Sequence, residues 1–228
     1  SLQALLARAD GPLDAVAHDL HPDFHSTHAA LQLAHRLGVP AIAVQHHHAH
    51  LAVVQATQGL HEPLVGLALD GVGLGLDGTA WGGEVLALDA LGGRFERLAH
   101  LAPLLLPGGD AAAREPWRLA AAVLHSLGRA AEIGPRFAPV VGEANARLLA
   151  ELLHRRLNCP QSSGAGRWFD AAAGALGLSV KQSQEAEAAI ALERTATTWL
   201  NEHPAPVLPP EVAAAGLDLH PLLARLFA

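Results

Sequence analysis

The sequence predicts an α/β fold with a mixed sheet, and three observations lead to that expectation. Short apolar runs alternate with helix-like segments in the first third of the chain, at residues 13–19, 40–45 and 63–70. From residue 71 the pattern becomes period-two segments punctuated by Asp77-Gly78 and Gly92-Gly93, which is typical of antiparallel hairpins. From residue 111 the apolar residues recur at helical spacing. A β-α-β-α-β order followed by hairpins and helices therefore favours a layered α/β architecture.

Each element has its own signals. Residues 26–38 are predicted to form a helix that is capped by Ser26 or Thr27 and closed by Gly38. Residues 40–45 and 63–70 are predicted to be buried strands, because their apolar runs are continuous. Asp70 ends the second run, and the Asp-Gly-x-Gly that starts there predicts a tight turn at the strand end.

The second half of the chain is predicted to be mainly helical. The helices are expected at 111–128, 142–157, 167–177 and 183–203, followed by a proline-rich, extended connector at 204–211. Ser183 has no acidic capping-box partner at position 186, so the sequence leaves the start of the last helix open.

Composition excludes several classes of protein. The chain has 228 residues, half of them hydrophobic, which suffices for one large core or a core and a small lobe. Only 16% are charged and the formal net charge is −7, so no sequence-wide basic surface is available to bind nucleic acid.

Location and redox chemistry follow from what the sequence lacks. It contains no apolar run of membrane-spanning length and no signal-peptide pattern, so we expect no membrane association. Cys159 is the only cysteine, which excludes an internal disulfide framework and a cysteine-type zinc site and fits a reducing cytoplasm. A chain that begins at Ser1 is expected to be processed or excised.

The stretch "QHHHAH" at 45–50 is the strongest chemical signal. His46 and His50 are four residues apart, so on a helix they lie on one face and can reach a common cation. Such a pair is usually completed by a carboxylate from another element, and Asp70 is the nearest candidate. His47 lies beside that face and His48 lies nearer the opposite side, and both are candidates for substrate contact or for support of the ligands. The alternative is that these histidines are structural or solvated.

Other histidines, which lie outside this stretch, are interpreted as structural or solvated: His18, His21, His28, His35, His100, His125 and His220. Three glycine-rich stretches, at 67–84, 107–117 and 159–170, have backbone N–H groups that an anion can approach closely. Such stretches are often plain hairpins, and Asp110 is equally explained as a helix N-cap. Ser162 and Ser163 precede a helix whose positive end suits a phosphate or a carbamoyl oxygen. Together the three stretches favour a nucleotide-like ligand.

Five blocks in order resemble the HypF carbamoyltransferase family of NiFe-hydrogenase maturation, in the part of HypF that is similar to the tRNA threonylcarbamoyl-transfer enzymes. They are "AHDLHPDFHSTHAA", "VQHHHAHLA", "LALDGVGLGLDGTAWGGE", "LPGGDAAAREPWRLA" and "CPQSSGAGRWFDAAAGALG". The resemblance runs from His18 to Glu193. It implies an actin-like ATPase fold, of the kind found in sugar kinases and heat-shock proteins, that is incomplete at both ends here.

The resemblance also implies an organisation. Residues 1–228 would be part of one carbamoyltransferase domain, with an α/β half that carries the metal motif at 1–110, a mostly helical part at 111–203, and a connector with a short helix at 204–228. The other HypF domains would be its partners. A later glycine block with a further metal-binding aspartate is expected in the family and is absent from this sequence.

The implied activity is transfer of a carbamoyl group from ATP-derived carbamoyl-adenylate to the C-terminal cysteine of HypE, which yields the cyanide ligands of the hydrogenase. The resemblance assigns His46, His50 and Asp70 to a divalent metal, zinc or iron, and His47 and Asp70 are the candidate catalytic residues. Cys159 is incidental, because the attacking thiolate belongs to HypE. The residues expected around the ligand are Gly71, Gly73, Gly82, Gly83, Glu84, Asp110, Arg114, Ser162, Ser163, Arg167 and Asp170.

Two other functions remain open from the sequence. One is a noncatalytic, truncated scaffold that keeps the fold and the partner-docking surface. The other is a metal-dependent hydrolase in which His46, His50 and Asp70 act on water.

Overall fold

A computed structural model gives the fold of residues 2–9 and 11–228. The strands are β1 Val16–Asp19, β2 Ala41–Val44, β3 Leu64–Leu74, β4 Ala80–Leu88, β5 Phe95–His100, β6 Leu104–Leu105 and β7 Gln161–Ser162. The helices are α1 Leu2–Leu6, α2 His25–Leu37, α3 His46–Thr57, α4 Asp110–Arg114, α5 Pro116–Ser126, α6 Ile133–Val141, α7 Glu143–Arg155, α8 Ala165–Ala175, α9 Glu187–Glu202, α10 Pro210–Ala214 and α11 His220–Ala224. Short 3₁₀ turns occupy Ala130–Glu132 and Arg225–Phe227.

The strands form two sheets. β1 and β2 make a separate two-stranded parallel sheet, with Asp19 opposite Val44. The second sheet has five strands in the order β3-β4-β7-β6, with β5 also paired to β4. Its pairings are antiparallel except that β4 and β7 run parallel. The predicted α/β class, the mixed sheet and the β-α-β-α-β order are confirmed.

β3 does not end at Asp70, so the predicted tight turn after Asp70 is wrong. The strand continues to Leu74, with an irregular register against β4 between Leu69 and Gly73. A bulge of this kind bends a strand without ending it, and glycines on either side tolerate the bend. The chain reverses later, around Asp77-Gly78, where Gly75 N donates to Thr79 O at 2.9 Å. This turn and the one at Gly92-Gly93 lie where the sequence predicted hairpins.

Two strands are less buried than predicted. β2 is largely exposed, and Val65, Leu67 and Leu69 of β3 are each more than 60% exposed. An apolar run predicts burial on both faces, but a strand is buried only where another layer covers it. α3 covers one face of β3, where Leu51 packs with Ala68 of β3 and with Trp81, Leu86 and Leu88 of β4.

The main core surrounds α5. Leu119, Val123 and Leu124 of α5 are fully buried. They belong to one cluster with Leu149 of α7 and Trp168 of α8, among others. A helix that is buried along most of its length must be enclosed by other elements, and α7, α8 and the C-terminal segment supply that enclosure.

Several helix boundaries differ from the prediction. α2 begins after Phe24 and has no side-chain cap, so Ser26 and Thr27 do not cap it; it does end at Gly38, with φ of 70°. The helix predicted at 111–128 is divided at Glu115-Pro116 into α4 and α5, because the residue before a proline avoids helical geometry. α6, with its two prolines, was not predicted.

α9 begins four residues later than the earliest predicted start. The Glu187 side chain accepts hydrogen bonds from Ser183 N at 2.8 Å and from Gln184 N at 3.3 Å. The acidic partner of Ser183 is therefore Glu187, one position beyond the capping-box position 186. Residues 183–186 form a turn in front of the helix. No helix in the described part of the chain is both long and apolar enough to cross a lipid bilayer.

Gly174 tests the packing of α8 on α5. A Cβ at this position would lie 2.5 Å from Pro116 O and 3.0 Å from Trp117 N, which are backbone atoms that cannot move independently. We predict that Gly174→Ala lowers the free energy of unfolding by about 1–3 kcal/mol, as overpacking does. The measurement is urea-induced unfolding followed by circular dichroism.

Gly134→Ala is the matched control, because Gly134 lies in α6 and an added Cβ meets nothing within 4 Å. This variant should be neutral or more stable by up to about 1 kcal/mol, since alanine favours helix. Equal stability of the two variants would contradict the packing described for α5 and α8.

Candidate functional site

α3 starts directly after β2, and Gln45 caps it. The Gln45 side-chain oxygen accepts a hydrogen bond from His48 N at 2.8 Å. Its amide nitrogen donates to Leu74 O and to His47 Nδ1, both at 3.1 Å. Gln45 thus ties the first turn of α3 to the end of β3.

The structure brings His46, His50 and Asp70 together. His46 Nε2 lies 3.1 Å from Asp70 Oδ2, and His50 Nε2 lies 3.6 Å from the same oxygen. The two Nε2 atoms are 3.2 Å apart. The predicted helical spacing and the predicted carboxylate from β3 therefore produce one cluster of three potential ligand atoms.

These spacings suit a small divalent cation. Metal–ligand distances of about 2.0–2.1 Å in tetrahedral zinc sites imply ligand atoms about 3.3 Å apart. The three distances between ligand atoms, 3.1, 3.2 and 3.6 Å, bracket that value. His50 and Asp70 are partly exposed, with side-chain exposures of 58% and 36%, so the cluster is accessible from solvent.

Asp19 lies beside this cluster in contact with His46, and sequence reasoning did not single it out. His46 Nδ1 donates to Asp19 Oδ2 at 2.7 Å, on the side of the ring away from Asp70. Burial would raise the pKa of Asp19, but hydrogen bonds from His21 N and from the His46 ring outweigh it and keep the pKa below its usual range. The block "AHDLHPDFHSTHAA" contained this residue, yet nothing in its spacing indicated the contact with α3.

His47 is fully buried beneath β3. A Cβ on Gly73 would lie 2.7 Å from His47 Cε1 and 2.8 Å from His46 Cβ, so only glycine permits β3 to pass this close to α3. His47 Nε2 has no hydrogen-bond partner among the described residues. Burial, and then the neighbouring His46, lower the pKa of His47 below its usual value. Of its two predicted roles, support of the ligand residues is the one this position favours.

His48 points away from the cluster, on the side that the helical spacing predicted. His48 Nε2 donates to Gly92 O at 2.7 Å, and its ring stacks on Phe95 with centroids 4.7 Å apart. His48 therefore anchors α3 to the β4–β5 hairpin.

A cleft of about 830 Å³ begins where β3 passes Asp70. Of the residues predicted to surround a ligand, those that line the cleft are Gly71, Gly73, Asp110, Arg114, Ser162 and Arg167. Asp110 is the first residue of α4 rather than its N-cap, which is Gly109. Arg114 forms no ion pair with a described residue. The three glycine-rich stretches thus meet at one cleft.

Five of the residues predicted to surround the bound substrate do not line this cleft: Gly82, Gly83, Glu84, Ser163 and Asp170. Glu84 lies behind it with no exposed surface, and its carboxylate accepts from Gly82 N at 3.0 Å, from Gly83 N at 3.2 Å and from the Ser163 hydroxyl. The two glycine amides are therefore already hydrogen-bonded to a protein carboxylate.

Arg97 completes the group around Glu84, and the sequence did not identify it. Arg97 Nε donates to Glu84 Oε2 at 2.6 Å, and the guanidinium lies 3.9 Å from the centroid of the Trp81 ring. Burial alone would raise the pKa of Glu84, but hydrogen bonds from Arg97, Ser163 and Gly82 outweigh it and hold the pKa below its usual range. Glu84 thus joins β4 to β5 through Arg97, and to the residue that follows β7 through the Ser163 hydroxyl.

Asp170 is also buried, and it orients Arg167. Arg167 NH1 lies 2.9 Å from Asp170 Oδ2, and a Cβ on Gly71 would lie 3.6 Å from Arg167 NH2. Burial raises the pKa of Asp170 although Arg167 opposes the shift. The guanidinium is thus held at the wall of the cleft beside β3.

Cys159 and His21 also line the cleft. Burial raises the pKa of the Cys159 thiol, which favours the unreactive thiol form and agrees with the incidental role expected for it. His21 was interpreted as structural; its ring stacks on Phe24 with centroids 4.4 Å apart. Only the three-dimensional structure reveals that His21 reaches the cleft.

Comparison with known proteins identifies the class first. Residues 66–228 match the family model described as carbamoyltransferase, Kae1-like domain, second subdomain. Residues 1–57 match the model described as the HypF Kae1-like domain. The chain therefore belongs to the HypF family of carbamoyltransferase Kae1-like domains.

Individual relatives agree with this membership. The chain is 58% identical over 235 residues to "Carbamoyltransferase HypF homolog" of Cupriavidus necator. This match covers all of this chain and 58% of that protein. It is 58% identical over 198 residues to "Carbamoyltransferase HypF2" of the same organism, covering 87% of this chain and 24% of that protein. HypF of Rhodobacter capsulatus is 44% identical over 94% of this chain and 28% of its own length. The chain thus spans between a quarter and three fifths of these relatives.

Solved structures give the same fold. A crystal structure of full-length HypF in the phosphate- and nucleotide-bound form has a TM-score of 0.69 and 36% identity, over 79% of this chain and 27% of that chain. The crystal structure of T. kodakarensis HypF has a TM-score of 0.72 and 35% identity, over 81% of this chain and 25% of that chain.

The Glu84–Arg97 pair yields a prediction about pH. Glu84→Gln removes a buried charge that faces the partly exposed Arg97 guanidinium, which still has Asp77 Oδ2 at 3.4 Å, so the cost at neutral pH should lie below the roughly 3–5 kcal/mol of a fully buried pair. The native pKa of Glu84 is depressed, so its stabilising contribution is complete above the unfolded-state pKa of about 4.3 and is lost as pH falls through the lower native value. The stability difference between wild type and variant should therefore shrink with acidification below about pH 4.3.

Urea unfolding across this pH range measures the difference. Glu96→Gln is the control, because Glu96 lies on the neighbouring strand β5 and is exposed; its stability should follow that of the wild type. A Glu84→Gln variant as stable as wild type at neutral pH would show that the ion pair does not hold this part of the site.

Proposed function

We propose that this chain performs the transfer step of a HypF-type carbamoyltransferase in the maturation of NiFe-hydrogenase. It would position carbamoyl-adenylate in the cleft and deliver the carbamoyl group to the C-terminal cysteine of a HypE-like partner in the cytoplasm. We further propose that residues 1–228 are part of one domain of the actin-like ATPase fold, which works together with the other domains of HypF.

One observation carries this proposal: the ligand cluster and the cleft share β3. Asp70 belongs to the cluster, and the residues that follow it, Gly71 to Leu74, line the cleft. A substrate that contacts Gly71 in the cleft would lie near Asp70, while His46 and His50 line a neighbouring cavity of about 530 Å³. Such adjacency is what a metal-assisted group transfer requires.

We propose that His46, His50 and Asp70 hold a divalent zinc or iron ion. The chemistry fits, because imidazole and carboxylate suit both metals and the spacing of the ligand atoms suits tetrahedral coordination. When bound, such an ion supplies Lewis acidity toward a carbonyl or phosphoryl oxygen. His47, buried against His46 and Gly73, would hold the ligand-bearing turn in place.

The charges in the cleft suit the phosphate of an adenylate. Arg167 is fixed by Asp170 at the wall beside Gly71, and Arg114 lies at the end of α4 without an ion-pair partner among the described residues. Guanidinium groups bind phosphate oxygens strongly. The relative solved with phosphate and nucleotide bound supports a nucleotide as the ligand.

The proposed reaction is an acyl-type transfer. The thiolate of the partner attacks the carbamoyl carbon, the bond between that carbon and the phosphate oxygen breaks, and AMP departs with the electron pair. The thiol proton passes to solvent, and the product is a thiocarbamate on the partner. The nucleophile thus comes from the partner, so Cys159, with its raised pKa, need not react.

A chimera tests this function in a complete enzyme. The segment of Cupriavidus necator HypF2 that matches this chain over 198 residues is replaced by the corresponding residues of the chain. The chimera is supplied with ATP, carbamoyl phosphate and a HypE protein with its C-terminal cysteine. We expect the intact mass of HypE to increase by one carbamoyl group. The same chimera with His46→Ala and His50→Ala should lose at least about 100-fold in rate, since metal ligands contribute several kcal/mol to the transition state.

The controls separate the alternatives. The double variant His28→Ala, His35→Ala changes two exposed histidines of α2 and should keep full activity. A folded chimera that leaves HypE unmodified, while intact HypF2 modifies it, would support the noncatalytic scaffold. Hydrolysis of carbamoyl-adenylate without carbamoylation of HypE would instead support the metal-dependent hydrolase.

A further inference from the structure

We propose that Asp19 is a positioning residue that fixes the His46 ring in the tautomer able to bind a metal. The inference rests on the proposed metal site and deepens it. Asp19 would not touch the metal or the substrate; it would act through His46 alone.

The hydrogen bonds of the His46 ring carry the inference. A carboxylate can only accept, so the 2.7 Å contact from His46 Nδ1 to Asp19 Oδ2 requires the proton on Nδ1. In the neutral imidazole that keeps its proton on Nδ1, the lone pair is on Nε2, so a metal can replace the hydrogen bond between Nε2 and Asp70 Oδ2. His46 Nε2 lies 3.1 Å from Asp70 Oδ2 and 3.2 Å from His50 Nε2, at the centre of the ligand cluster. Carboxylates that bind the far nitrogen of a metal-binding histidine orient the ring in this way.

The fold holds Asp19 at this position. In the parallel pairing of β1 with β2, Asp19 lies opposite Val44, and His46 follows two residues after Val44. Asp19 Oδ1 accepts from His21 N at 2.8 Å, and the Asp19 backbone oxygen accepts from Thr27 Oγ1 at 3.3 Å. The carboxylate is thus oriented by backbone on one oxygen, which leaves the other for His46. Its side chain is only 15% exposed, so water competes little for this contact.

Asp19→Asn replaces the carboxylate oxygen that faces His46 with an amide nitrogen, which donates a hydrogen bond, and keeps the shape of the side chain. The amide oxygen of asparagine can still accept from His21 N, so its nitrogen faces His46 Nδ1. That nitrogen donates, which favours the His46 tautomer with the proton on Nε2. A protonated Nε2 cannot bind a metal, so the variant should fold normally and bind metal weakly.

The experiment compares Zn²⁺ affinity in wild type, Asp19→Asn and the control Asp23→Asn, measured by competition with a chromophoric chelator. Asp23 lies four residues further along the same segment and its side chain is exposed. We expect the Kd of Asp19→Asn to rise by about 10- to 100-fold, while Asp23→Asn stays at the wild-type value. Thermal unfolding of the metal-free proteins should be similar for all three.

A second readout requires no metal. Nitrogen-15 NMR of the imidazole in metal-free protein at mildly alkaline pH should report a proton on His46 Nδ1 in wild type. The proton should shift toward Nε2 in Asp19→Asn. A purely structural role for Asp19 would leave this signature unchanged.

The outcomes separate this inference from the metal site itself. If wild type binds Zn²⁺ and His46→Ala, His50→Ala abolishes binding, but Asp19→Asn binds as tightly as wild type, the positioning role is wrong and the metal site stands. If wild type itself binds no Zn²⁺, both the metal site and the positioning role are overturned.

Discussion

The arrangement of the whole site depends on the irregular stretch of β3 between Leu69 and Gly73. A regular strand would alternate its side chains between the two faces. Asp70 and Gly73 are three residues apart, yet the bulge turns both toward the first turn of α3, while Gly71 faces Arg167 at the cleft. Glycine at 73 allows the strand to pass directly over His46 and His47. The same few residues therefore contribute a carboxylate to the ligand cluster and a wall to the ligand cleft.

Two ion pairs with buried carboxylates support this stretch from behind. Glu84 connects β4 to β5 through Arg97, and to the residue that follows β7. Asp170 holds Arg167 beside Gly71. Pairs of this kind add little net stability compared with apolar packing, but they demand a defined geometry. Their value here is the fixed position of the glycine-rich backbone and of one guanidinium, since a group-transfer site must hold its groups in place before the substrate arrives.

Sequence patterns predicted those features of the site that are set within a single helix or strand. The four-residue spacing placed His46 and His50 on one face, and the acid ending an apolar run identified Asp70, because both depend on a single element. The contact between Asp19 and His46 depends on the register of two strands that are far apart in sequence, and no local pattern encodes it. The exposure of β2 and of Val65 could not be predicted either, since burial depends on which layer covers each face. Pro116 indicated the break between α4 and α5, but the apolar residues at helical spacing on both sides of it favoured one continuous helix.

The central claim is that His46, His50 and Asp70 form one metal site at the border of the cleft. Anomalous diffraction at the zinc absorption edge, from crystals grown with Zn²⁺, tests it most directly. The account predicts one strong peak among His46 Nε2, His50 Nε2 and Asp70 Oδ2, at about 2.0–2.2 Å from each atom. A peak at other histidines, or no peak in a well-ordered crystal, would contradict it.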